Sequence, residues 1–181
     1  MSNAFYASWF LMLIVLDQIS KWYVFEMVLR VKGERLGFID WLTQSQSIER
    51  TIASLAEFGR MEITSFFNFV AVWNTGVSFG MLQNAPDYMP TALTVFAVII
   101  GMAIFIWGLR STNKLERVAA FLISAGAIGN AIDRFRFKAV ADFFDFHVGG
   151  WHWPAFNIAD AAIVIGAGVL ILYIFTIDEK K

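Results

Sequence analysis

Long apolar stretches alternate with polar segments along this chain, and the length of these stretches predicts membrane-spanning helices. Residues 92–109 run for eighteen positions without a charge, close to the about 20 residues that an α-helix needs to cross a bilayer. Three further stretches are apolar over a comparable length: charges interrupt the first, near the N-terminus, whereas residues 118–132 and 161–177 are uncharged. We therefore predict four spans, at about residues 4–29, 90–109, 116–134 and 157–177.

The polar stretch after the first predicted span carries a different pattern. Residues 63–73 are rich in Phe, Val and Ile and too short to span as a helix, which predicts a strand. Asn74-Thr75-Gly76 supplies turn chemistry, and residues 77–82 are a candidate partner strand. Four apolar residues upstream recur at helical spacing: Ile48, Ile52, Leu55 and Phe58. They predict a short amphipathic helix, which either lies on the membrane surface or covers its own domain.

The predicted fold is an α-helical membrane protein with four transmembrane helices, a small β-cradle and one amphipathic helix. We expect a single domain over residues 1–181, with the cradle at about 30–89. The composition agrees, because 58% of the residues are hydrophobic and only 16% are charged, against about half and a quarter in soluble domains.

Charge and residue counts exclude several function classes. The formal net charge is −1, so we expect no nucleic-acid partner. The chain has no cysteine, which excludes thiol nucleophiles and thiolate metal sites. His147 and His152 are too few for a typical zinc site unless carboxylates complete it.

Three predicted spans carry an aspartate at a similar depth. Measured from the side that holds the termini, Asp17, Asp133 and Asp160 lie roughly 20, 24 and 26 Å into the membrane at about 1.5 Å per helical residue. Charges inside a span are costly and mark functional sites. Asp142 follows Asp133 by nine residues and can fold back to the same layer.

Asp142 and Asp160 are candidates for a catalytic pair. Two carboxylates in one site hold a single proton between them, so that one partner takes a proton from water while the other polarises a carbonyl. Such a pair hydrolyses a peptide without a metal. The same carboxylates also suit a transporter or a proton relay, and a single aspartate near a helix start can simply be structural. Asp145 is interpreted as a solvated loop charge.

Four short motifs occur in order between the predicted spans. They are Leu16-Asp17-Gln18-Ile19-Ser20-Lys21, then Phe66-Phe67-Asn68-Phe69-Val70 with Trp73-Asn74-Thr75-Gly76-Val77-Ser78-Phe79-Gly80, then Gly126-Ala127-Ile128-Gly129-Asn130-Ala131-Ile132-Asp133-Arg134 with Val140-Ala141-Asp142-Phe143, and Phe156-Asn157-Ile158-Ala159-Asp160-Ala161. Together they resemble the signatures of the lipoprotein signal peptidases, the signal peptidase II family of bacteria. Each motif is weak alone, whereas four in register are specific.

The resemblance implies an aspartic endopeptidase of the bacterial inner membrane that needs no cofactor. Its substrate is a prolipoprotein, cleaved just before a cysteine that carries diacylglycerol, and membrane lipids are its surroundings. The resemblance also implies cytoplasmic termini and an active site near the periplasmic face, which the Lys and Arg counts leave ambiguous. We expect a monomer.

The resemblance also assigns roles to individual residues. Asp142 and Asp160 match the catalytic pair. Four polar residues match the substrate site: Asn74, Asn130, Arg134 and Asn157. Four more match supporting positions: Asp17, Lys21, Gly76 and Asp133.

Alternatives stay open for several of these residues. Asp17 and Lys21 also fit a plain ion pair, Asn74 fits a turn former, and Asp133 is expected to hold Arg134 or a helix end. Residues 32–60, between the first span and the strand, form a longer segment than the family usually has there. The additional residues are interpreted as either a lid or an extra surface helix. A transporter or a non-catalytic lipoprotein-binding scaffold remain the rival functions.

Overall fold

The computed structural model describes residues 2–76 and 88–178, with side chains as far as residue 175. The predicted strand at 77–82 lies outside these residues. The helices are α1 Asn3–Trp22, α2 Phe38–Thr43, α3 Ile48–Ala53, α4 Met89–Arg110, α5 Lys114–Phe137 and α6 Ile158–Asp178; the strands are β1 Met61–Thr64, β2 Phe67–Asn74, β3 Val140–Val148 and β4 Trp151–His152. A π-helical segment, Tyr23–Leu29, continues α1, and a 3₁₀ turn, Ser54–Glu57, follows α3.

Three helices of the described part of the chain, α4, α5 and α6, are long and apolar enough to cross a membrane. They coincide with the last three predicted spans. Helix α1 and its π-helical continuation cover the first, but they carry the charged residues Asp17, Lys21 and Glu26, which are at most 1% exposed. Helix α5 is central, because α1, α4 and α6 all pack against it.

The ends of α5 are defined by local chemistry. At its start, the Asn113 side chain accepts hydrogen bonds from the backbone N–H groups of Leu115 and Glu116, which have no partner within the helix. At its end, Lys138 adopts the left-handed conformation with φ 60°, which reverses the chain. Strand β3 therefore begins at Val140, immediately beside the helix that precedes it.

The sheet is antiparallel in the order β1-β2-β3-β4 and differs from the prediction. The strand predicted at 63–73 is two strands, β1 and β2, joined by a tight turn. Strands β3 and β4, which the sequence analysis left out of the cradle, form the other half. Asp142 therefore lies in a strand opposite Val72. Pairing of this kind depends on residues distant in the chain, which a local pattern does not reveal.

The segment between α1 and β1 folds onto the sheet. The predicted amphipathic helix is shorter than expected, since α3 ends at Ala53 and a 3₁₀ turn follows. Ile48, Leu55 and Phe58 pack against a hydrophobic core built around Phe25, Trp73 and Phe137. This packing supports the reading in which the helix covers its own domain.

Candidate active site

Two buried carboxylates share one buried ammonium group beneath the site. Lys21 Nζ lies 2.7 Å from an oxygen of Asp17 and 2.7 Å from an oxygen of Asp133, and it donates a third hydrogen bond to Asn130 Oδ1 at 3.2 Å. Lys21 and Asp133 are fully buried and Asp17 is 1% exposed. A buried charge is tolerated only when it is paired, so each of these residues depends on the others.

The same two carboxylates hold the backbone next to the predicted catalytic aspartates. Asp17 Oδ1 accepts the N–H of Ala159 at 3.0 Å, one residue before Asp160. Asp133 Oδ2 accepts the N–H of Ala141 at 3.2 Å, one residue before Asp142. The sequence suggests that Asp133 holds Arg134 or a helix end, whereas its carboxylate contacts Lys21, Gln18 and the start of β3.

Asn157 joins Asp142 to Asp160. Its Nδ2 donates to Asp142 Oδ1 at 2.7 Å, and its backbone N–H donates to Asp160 Oδ2 at 3.2 Å. The backbone N–H of Asp160 donates in turn to Asn157 Oδ1 at 2.9 Å. Asn130 Nδ2 donates to the other oxygen of Asp160 at 2.8 Å. The structure thus brings together both predicted aspartates and two of the predicted asparagines.

The turn after β2 supplies a second contact to Asp142. Asn74 Nδ2 donates to Asp142 Oδ2 at 3.1 Å, while Asn74 Oδ1 accepts the N–H of Gly76 at 3.2 Å. Asn74 therefore forms the turn and contacts the aspartate at once, and its match to the substrate site stays a prediction. Arg134 donates to the carbonyl of Gly76 at 3.1 Å. Arg134 Nε is buried and has no hydrogen-bond partner among the described residues.

The two aspartates have different surroundings. Asp142 is 1% exposed. Burial, and secondly the negative charge of Asp160, raise the pKa of Asp142 well above its ordinary value, although Asn74, Lys21 and Asn157 oppose the shift. Asp160 is only partly buried. Carboxylates whose environments differ in this way can take opposite roles in acid–base chemistry.

Asp160 opens onto an apolar groove. A cavity of about 360 Å³ is lined by Trp153, Phe156, Asp160, Ala161 and Val164, with Asp160 as its charged residue. A mostly apolar groove with one carboxylate is suited to an apolar ligand that carries a polar group. Among the described residues, no group of three or more His, Asp or Glu side chains is placed to hold a metal ion.

A second polar cluster was not found by sequence reasoning. Asp145 is 5% exposed, so its assignment as a solvated charge is wrong. Asp145 accepts from Asn68 Nδ2 at 2.8 Å and lies 2.7 Å from His152 Nδ1. Asn68 stands in one of the motifs, but only the register of β2 on β3, which sets it opposite Asp145, gives it a partner.

Gln18 and Arg136 are two further residues of the site that the sequence analysis did not predict. Gln18 Nε2 donates to Asp17 Oδ2 at 3.1 Å and to Asp133 Oδ1 at 3.0 Å. Arg136 Nη1 donates to Gln18 Oε1 at 3.1 Å. The position of Gln18 between Asp17 and Lys21 in the first motif was the available signal.

Comparisons with known proteins agree on one family. The family model described as signal peptidase (SPase) II matches residues 9–176. A lipoprotein signal peptidase of Alteromonas mediterranea is 40% identical over 132 residues, which are 72% of this chain and 72% of that protein. One from a Janthinobacterium species is 47% identical over 127 residues, 68% of this chain and 75% of the relative.

A solved structure described as a bacterial membrane enzyme has a similar fold. Its TM-score is 0.71 at 23% identity, over 98% of this chain and 92% of the other. At that identity the likeness supports the fold alone.

Proposed function

This chain belongs to the signal peptidase II family, and we propose that it removes signal peptides from prolipoproteins as an aspartic endopeptidase. The bond cleaved lies on the N-terminal side of a cysteine that carries diacylglycerol. The observation that carries the proposal is the contact of Asp142 and Asp160 with one residue, Asn157. Two carboxylates held in this way can share one proton, as the hydrolysis of an amide by water requires.

The surroundings of the two aspartates support separate roles. Asp160 is the general base: it takes a proton from water, whose oxygen bonds to the carbonyl carbon. Asp142, whose pKa is raised, is the general acid and protonates the carbonyl oxygen. When the tetrahedral intermediate collapses, the C–N bond breaks, Asp160 returns its proton to the leaving amine, and Asp142 recovers a proton from the hydroxyl.

The polar residues around the pair form the proposed substrate site. Asn130 and Asn157 orient the aspartates directly, and Asn74 holds Asp142 from the opposite side. Arg134 retains donor capacity, since its buried Nε has no partner among the described residues, and we propose that it binds a backbone carbonyl of the substrate. Every one of these residues comes from a single chain, so a monomer is sufficient.

We propose that α1 with its continuation is a fourth transmembrane span. Its charged residues are buried against the bundle, whereas Leu11, Val15 and Ile19 are exposed and apolar, which is the distribution that a lipid-facing helix requires. Four spans put both termini on one side of the membrane, and we propose, from the family resemblance, that this side is the cytoplasm of an inner membrane and that the aspartates lie near the periplasmic face. The apolar groove at Asp160 then offers a place for acyl chains.

The test is cleavage of a purified diacylated prolipoprotein by variants in which each aspartate becomes the neutral isostere. Asp142→Asn and Asp160→Asn should each abolish cleavage while the protein stays folded. An amide side chain cannot donate or accept the transferred proton, so one variant lacks the general acid and the other lacks the general base. Asp40→Asn, the same change at an exposed residue of α2, is the matched control and should cleave normally. Substantial cleavage by either site variant would exclude the mechanism, and ion flux in proteoliposomes that requires Asp160 without peptide cleavage would favour a transporter.

A further inference from the structure

A short segment between α1 and β1 crosses the end of α5 and is fastened there. We call residues 36–46 the strap; they include α2. At its beginning, Leu36 accepts a hydrogen bond from Trp22 Nε1 at 2.9 Å and donates to Glu26 Oε2 at 3.0 Å. At its end, the N–H of Gln46 donates to the carbonyl of Arg136 at 2.8 Å. The strap is therefore tied to the first helix and to α5.

Arg136 connects the strap to the interior. Its guanidinium donates to the carbonyls of Trp41 and Gln44, which are carbonyls at the C-terminal end of α2, where a cation is favoured. The guanidinium carbon lies 4.3 Å from the centre of the Trp41 ring and 4.4 Å from that of Phe137. Arg136 is 6% exposed, so the strap covers it almost completely.

A third hydrogen bond of the Arg136 guanidinium determines how the side-chain amide of Gln18 is oriented. Arg136 Nη1 donates to Gln18 Oε1 at 3.1 Å, which leaves the amide NH₂ of Gln18 facing Asp17 Oδ2 and Asp133 Oδ1. An amide rotated by half a turn would direct its oxygen at two carboxylates. Since an acceptor facing an acceptor leaves buried polar atoms unsatisfied, Arg136 favours the orientation that binds both carboxylates.

We infer that Arg136 is a positioning residue for the aspartate pair, acting through Gln18, and that the strap holds it in place. Asp17 and Asp133 bind the backbone directly before Asp160 and Asp142. Gln18 is the neutral group that bridges the two carboxylates, so its orientation affects both aspartates together. The inference rests on the proposed function, because it concerns the same catalytic pair.

The experiment compares Arg136→Met, Arg136→Lys and the control Arg35→Met in cleavage of a diacylated precursor in detergent. Arg136→Met keeps an apolar side chain on the ring of Trp41 but removes every donor. Because displacement of reacting groups by about 1 Å costs as much as a hundredfold in rate, we expect kcat to fall about ten- to a hundredfold with KM unchanged. Arg136→Lys, which retains a cationic donor, should recover part of the loss. Arg35→Met, the same change at an exposed residue just before the strap, should cleave like the wild type.

The outcomes separate the two proposals. Wild-type kcat in a folded Arg136→Met protein overturns the inference, as does a change confined to KM. If Arg136→Met does not fold, Gln18→Met removes the same connection from its other end, and wild-type kcat there is equally decisive. If Asp142→Asn and Asp160→Asn abolish cleavage while these variants have no effect, only the positioning role fails; if the aspartate variants remain active, the proposed function itself fails.

Discussion

Gly126 lies where α5 packs closely against α6, and we expect Gly126→Ala to impair cleavage strongly. A Cβ atom at Gly126 would lie 2.3 Å from the carbonyl oxygen of Ala159 and 2.7 Å from Ile163 Cγ1. Ordinary contact begins at 3.4 Å, so the Ala159 carbonyl must move by about 1.1 Å, the difference between 3.4 and 2.3 Å. Overpacking of this kind costs about 1–3 kcal/mol.

The functional cost follows from the position of Asp160 directly after Ala159. A displacement of about 1 Å at a catalytic group lowers the rate by about a hundredfold, so we expect kcat for a diacylated precursor to fall by about that factor. The thermal midpoint, measured on the same detergent-purified protein, should fall as well. The matched control is Gly168→Ala in α6, where an added Cβ meets no heavy atom within 4 Å; its cleavage should equal that of the wild type. A Gly126→Ala protein with normal kcat would refute the argument that this close approach positions Asp160.

Three further predictions concern charge. Because the general acid must keep its proton, kcat/KM should fall as pH rises through the raised pKa of Asp142. The native state also binds that proton more tightly than the unfolded chain, so the contribution of Asp142 to stability declines from pH 3.8 up to the raised pKa. If the thermal midpoint of Asp142→Asn depends on pH in that window as much as that of the wild type, the stability prediction is wrong. Lys21→Met leaves two buried carboxylates without their cation and should cost about 3–5 kcal/mol in unfolding free energy, whereas a variant as stable as the wild type in a denaturation experiment would show that the pair is dispensable. Burial alone would raise the pKa of Asp145, but hydrogen bonds from an asparagine and a histidine outweigh burial and lower that pKa. The contribution of Asp145 to folding stability is therefore present above pH 3.8 and is lost as pH falls through the lowered pKa. Thermal melts between about pH 2 and 5 should show this loss in the wild type and not in Asp145→Asn.

The helices could be predicted from the chain because their signal is local. Apolar length alone locates α4, α5 and α6, and the predicted boundaries lie within a few residues of the observed ones. The first span was also predicted, but its charged residues are stabilised by a contact with another helix that the local sequence does not reveal. Asp17 and Lys21 are i,i+4 neighbours on α1 and pair as expected, whereas the third member, Asp133, comes from α5.

The sheet and the geometry of the site depended on contacts between distant residues. The local pattern of residues does not identify Val140–Val148 as a strand. This segment forms a strand by pairing with β2, which lies about 70 residues earlier in the chain. That pairing buries Asp145 beside Asn68, which explains why an apparently solvated charge is an interior one. The strap over Arg136 is of the same kind: the sequence shows an unusually long segment, and only the fold reveals what it contacts.

By itself, the sequence determined the class of the protein, since span length is a property of consecutive residues and the four motifs together point to one family. It also predicted which two aspartates react. Tertiary structure alone decided that Asn157 contacts both of them and that their environments differ in burial. It also decided that Lys21 pairs with Asp17 and Asp133, whose carboxylates hold the backbone just before each member of the predicted pair. The physical reason is that a hydrogen bond or a desolvated charge depends on which atoms are adjacent in space, and residues from α1, α5, β3 and α6 become adjacent only when the chain is folded.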